Sequence, residues 1–117
     1  MAEVVSADIR RMLVARCRSA RTRKSSFSRE LPTDWRPHTL RDPRKKDGYF
    51  TDAGCWEWIA EQLECGCSIE LIMLDKPPGK KGYVLKLAGC GGVIIYVKLQ
   101  LSSSDVLGRS FHESYYD

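Results

Sequence analysis

The segment from Val93 to Leu101 constrains this chain most. Its odd positions, Val93, Ile95, Val97, Leu99 and Leu101, are all apolar, and its even positions include Tyr96, Lys98 and Gln100. Alternation with a period of two places neighbouring side chains on opposite sides of a strand, so one face meets a core and the other is open. Apolar runs at Tyr83–Leu87 and Val106–His112 flank this segment. Ala88-Gly89-Cys90-Gly91-Gly92 reads as the first turn, because glycine tolerates positive φ, and Ser102-Ser103-Ser104-Asp105 reads as the second. The last third of the chain therefore predicts an antiparallel meander.

A helix is expected ahead of it. Trp56, Ile59, Ala60 and Leu63 recur at helical spacing, Thr51 or Asp52 can cap the start, and Gly66 stands where a C-cap belongs. Glu57, Glu61 and Glu64 then form a solvated acidic face. Ser68–Leu74 reads equally as a short helical turn or a first strand. The fold class is accordingly α+β, with a helix packed on a small antiparallel sheet. Val5, Ile9, Met12, Leu13 and Cys17 predict a second, basic helix over residues 4–17. Arg18–Ser28 lacks periodicity and reads as a linker or arm. This divides the chain into a basic N-terminal helix or arm, residues 1–30, and a compact α+β domain, residues 31–117.

The chain has 117 residues, enough for one modest core. No apolar run approaches the roughly 20 residues of a membrane span. Five cysteines show no disulfide or zinc spacing, which suits a reduced cytoplasmic protein with no bound metal. Charge is uneven: residues 1–46 carry 13 Lys+Arg against 5 Asp+Glu, and residues 47–117 carry 6 against 10. A basic front half points to an anionic partner, nucleic acid first. Leu31–Gly48, irregular and proline-rich, can be ordered by Trp35 packing on the domain. It can also present Arg41, Arg44, Lys45 and Lys46 to phosphate. The loop Asp75–Gly82 adds Lys80 and Lys81 but lacks the spacing of a nucleotide-binding loop.

Strand register decides which polar groups share a face. Pairing Leu101 with Asp105 sets Ile95 opposite Phe111 and Leu99 opposite Leu107. That register buries Leu107 and Phe111, worth about 1.5–3 kcal/mol each, and turns Arg109 inward. Tyr96, Lys98, Ser110 and His112 then gather on the open face. Pairing Leu101 with Val106 sends Ser110 and His112 to the core instead, and a bulge would break either scheme. The first face has the parts for RNA cleavage without a cofactor. Histidine transfers protons near neutral pH, Lys98 or Arg109 steadies a charged phosphorus centre, and Tyr96 donates a hydrogen bond or stacks on a base.

The run Ile95-Tyr96-Val97-Lys98-Leu99, a turn, and Val106 to Ser110-Phe111-His112 resembles the ending of the motility quorum-sensing regulator toxins, in the RelE-like ribonuclease fold group. The resemblance covers roughly residues 50–113. It implies a compact α+β toxin that cleaves mRNA and is neutralised by an antitoxin encoded beside it. By position, the family's strand tyrosine falls on Tyr96 and its terminal catalytic lysine on His112, a departure from a permanent cation. Lys80 or Lys81 answers to a further catalytic lysine, and the family's glutamine has no clear counterpart. The expected function is a metal-independent endoribonuclease. The partners expected are mRNA and a cognate antitoxin, with a homodimer possible. The alternatives are a non-catalytic nucleic-acid-binding module and a protein-interaction domain.

Overall fold

The computed structural model describes residues 5–25, 34–74 and 79–114. The order of elements is α1 (Ala7–Arg18), β1 (Arg23–Lys24), β2 (Asp34–Trp35), a 3-10 turn (Pro37–Thr39), α2 (Asp52–Glu64), β3 (Glu70–Met73), β4 (Lys81–Ala88), β5 (Ile94–Leu101) and β6 (Val106–Glu113). The α+β class holds. The sheet, however, is mixed rather than purely antiparallel. Strands β3 to β6 form the expected meander, and β1 and β2 both pair with β6 in parallel. Ser68–Leu74, ambiguous by periodicity, supplies β3. Neither helix is long and apolar enough to cross a membrane among the described residues.

α2 forms for the reasons its sequence suggests. The Thr51 side chain accepts from the Gly54 amide at the N-terminus, and Gly66 follows the Cys65 C-cap with φ of 89°. Trp56, Ile59, Ala60 and Leu63 are buried as expected, and so are Cys55 and Trp58. They pack on Leu85, Val97, Leu99, Val106 and Phe111 of the sheet. α1 belongs to the same core through Leu13 and Cys17, both fully buried.

The acidic face of α2 is partly exposed, as expected, and is also paired with arginines. Arg18 pairs with Glu57 and Glu64, Arg23 with Glu57 at 3.0 Å, and Arg44 with Glu61 at 3.5 Å. Arg10 donates to the carbonyls of Leu63 and Cys67, at 2.8 and 2.7 Å, at the end of α2. There a cation also meets the negative end of the helix dipole. Arg16 donates to the carbonyls of Ser102, Ser103 and Asp105 in the β5–β6 turn.

The register of β5 on β6 corrects the expectation. Leu101 pairs with Val106, Gln100 with Leu107 and Leu99 with Gly108. The register then shifts, and Lys98 pairs with Ser110, Val97 with Phe111 and Tyr96 with His112. Arg109 is the extra residue of this bulge. One inserted residue reverses the parity of β6, so Val106 rather than Leu107 fills the core beside Phe111. The same shift restores Ser110 and His112 to the face of Lys98 and Tyr96, as β5 requires. Arg109 does not enter the helix-side core either: its guanidinium donates to the Gln100 side chain, on the opposite face.

Candidate active site

Trp35 anchors the segment that completes the site. Its ring stacks on Trp56 with centroids 4.7 Å apart and lies 5.4 Å from Phe111. Gly108 makes room for it, since a Cβ there would stand 2.7 Å from the indole. With Trp35 so held, the Arg36 amide donates to the Phe111 carbonyl at 2.8 Å, and Asp34 pairs with Ser110 along the edge of β6. The Asp34 carboxylate, also paired with the Arg36 side chain, then lies 3.4 Å from His112 Nε2.

Two rows of side chains cross the sheet on the face away from the helices. One runs Lys86, Tyr96, His112 through successive strand pairs. The other runs Glu70, Val84, Lys98, Ser110, Asp34. The Tyr96 and His112 rings stack at 5.4 Å with planes 21° apart. His112 Nδ1 lies 2.8 Å from the Glu113 carbonyl oxygen, so each ring nitrogen that carries a hydrogen faces an acceptor. Burial, and then the Glu70 charge, push the Tyr96 phenol above its ordinary value, keeping it a hydrogen-bond donor well into alkaline solution. On this face Val84, Gln100, Arg109 and Ser110 are buried, and Tyr96, Lys98 and His112 are half-buried.

The other expected residues fall in three places. Arg109 is 4% exposed and held at Gln100, with burial lowering its pKa below the ordinary value. Lys80 and Lys81 are exposed at the β3–β4 hairpin. Five residues of strand, roughly 17 Å, separate Lys81 from Lys86, which takes the β4 position beside Tyr96. Asp75 to Pro78 of that loop lie outside the described residues. Arg41, Lys45 and Lys46 are exposed on a small hairpin closed by an Arg41–Tyr49 bridge. Arg44 turns inward instead: it donates to Asp42 at 3.0 Å and to the Gly54 carbonyl at 2.7 Å, and so ties the hairpin to α2.

Asp34, Arg36 and Lys86 were not singled out by sequence. Lys86 had a signal, since it is the one cation within the Tyr83–Leu87 run. Asp34 had only its position beside Trp35. Among the described residues, no group of three or more His, Cys, Asp or Glu side chains could hold a metal ion. No protein-family model, curated protein or solved structure matches the chain.

Proposed function

We propose that the chain is a toxin-like endoribonuclease acting on mRNA in the cytoplasm and held by an antitoxin. The observation that carries the reading is the cross-strand pair of Tyr96 and His112, with the Asp34 carboxylate against His112 Nε2. A carboxylate behind an imidazole fixes the ring and steadies its protonated form during proton transfer, as in other acid–base sites.

In this mechanism His112 exchanges a proton with the reacting 2′-hydroxyl or the departing 5′-oxygen, and water exchanges the other proton. Tyr96, a protonated phenol beside it, donates a hydrogen bond to the same phosphate centre. Lys98, in the adjacent row, and Lys86, paired with Tyr96, supply positive charge to the crowded phosphorus. The 2′-hydroxyl attacks phosphorus and the 5′-oxygen leaves, giving a 2′,3′-cyclic phosphate and a 5′-hydroxyl. Arg109, buried at the bulge and held at the Gln100 side chain, adds positive charge to the same face. The resemblance of the Tyr-x-Lys and Ser-Phe-His endings to motility quorum-sensing regulator toxins supports the same assignment for Tyr96 and His112.

Induced expression in bacteria without an antitoxin tests the proposal. Growth should stop and transcripts should fall, and His112→Ala, Asp34→Asn and Tyr96→Phe should each relieve both effects. Unchecked growth with intact transcripts would overturn it. Salt-dependent RNA binding that survives His112→Ala, with no cleavage by the wild type, would mark a binding module instead.

A further inference from the structure

A second feature of the chain lies on the side of the sheet opposite Tyr96 and His112. At the end of the sheet, Arg41 and Tyr49 of the small hairpin, Val93 and Ile95 of the β4–β5 corner, and Glu113 of β6 surround a half-open cleft of about 250 Å³. The proposed proton-transfer residues do not use it. Its parts are of three kinds. Tyr49 is 55% exposed, unusual for a large aromatic in a chain that buries Trp56, Trp58 and Phe111. Ile95 and Val93 give an apolar floor, with Ile95 fully buried. Arg41 and Glu113, both exposed, place a cation and a carboxylate at the rim.

An aromatic platform, an apolar floor and convergent polar groups suit an unstacked nucleobase better than an extended peptide or a lipid. The carboxylate selects among bases. Guanine presents two adjacent donors, N1–H and the 2-amino group, on its pairing edge, and a carboxylate accepts both. Adenine and cytosine each offer one donor beside a ring acceptor, and uracil offers one donor between two carbonyls. An acceptor-only side chain is repelled by those neighbouring lone pairs. Arg41 stands ready for the attached phosphate.

We infer that this cleft binds a guanine base of single-stranded RNA, stacked on Tyr49 and read by Glu113. The inference rests on the reading of the chain as a protein that handles RNA, and it gives that reading a base-binding site on the other side of the sheet from His112. Glu113 pairs with Ile95, so its side chain lies on the opposite side of the sheet from His112, and a base held in the cleft belongs to a nucleotide other than the one being cut. The backbone of Arg41 and Tyr49 is fixed by their bridge, so truncation of the exposed Tyr49 ring leaves the hairpin in place.

The test is titration of the wild-type protein with 5′-GMP, 5′-AMP, 5′-CMP and 5′-UMP, followed by amide NMR. GMP should shift Arg41, Tyr49, Val93 and Glu113 and bind about tenfold more tightly than the others. Tyr49→Ala should weaken GMP by about tenfold. Glu113→Gln should erase the preference for GMP over AMP. Four indistinguishable nucleotides, or GMP shifts unchanged in Tyr49→Ala, overturn the inference. RNA cleavage by the same wild-type sample separates the two readings. Cleavage without GMP selectivity overturns the cleft alone, and GMP selectivity without cleavage supports the cleft and overturns the nuclease.

Discussion

At the scale of single residues, Gly108 and Asp42 decide whether the site's neighbourhood can form. Gly108 is where β6 passes beneath Trp35, and an added methyl would overlap the indole at 2.7–2.8 Å. Gly108→Ala should therefore destabilise the fold by about 1–3 kcal/mol, read from urea midpoints. It should also weaken the Asp34–His112 contact, because Trp35 carries Asp34. Asp42 is fully buried, which alone would raise its pKa, yet the hydrogen bonds and charge of Arg44 outweigh burial and hold its carboxyl below the ordinary 3.8. A carboxyl depressed on folding adds stability that is complete above its unfolded pKa, about 3.9, and is lost as pH falls through the folded value. Urea midpoints measured from pH 7 down to about 3 should decline below about pH 4. Asp42→Asn should flatten that decline and cost about 1–3 kcal/mol at neutral pH. Parity along β5 made Tyr96, Lys98, Ser110 and His112 legible as one face, since the alternation there is unbroken. The bulge at Arg109 was illegible, because one inserted residue in a short strand leaves no trace in the pattern of apolar positions.

At the scale of elements, the arginines of α1 and β1 act as staples. The sequence showed their charge and the acidic stripe of α2, but not that the two were meant for each other. Only the fold brings residue 18 to residue 64. Their exposed ion pairs contribute little individually, about 0.2–1 kcal/mol. Arg10 differs, because it satisfies two carbonyls at the end of α2. Arg10→Ala should cost about 1–3 kcal/mol and speed amide exchange in α1 before the sheet responds. Equal acceleration throughout the chain would show that α1 is not a separately opening unit. The short strands β1 and β2 were invisible to periodicity, since two residues cannot display a period and parallel pairing depends on distant β6. That is why Asp34 escaped notice while the Trp35 that carries it did not.

At the scale of the whole molecule, the charge asymmetry has two destinations. Arg10, Arg16, Arg18, Arg23 and Arg44 are bound to carbonyls or carboxylates within the fold. The cations Arg41, Lys45, Lys46, Lys80, Lys81 and Lys86 are exposed at the surface. They lie at the small hairpin, at the β3–β4 turn and on β4, where Lys86 is paired with Tyr96. Cleavage of a defined RNA by the purified protein in EDTA, with the new ends analysed chemically, tests the central claim most directly. The account predicts 2′,3′-cyclic phosphate and 5′-hydroxyl ends, and a rate that drops by about 10²-fold or more in His112→Ala. Intact RNA, or cleavage undiminished in His112→Ala, would contradict it.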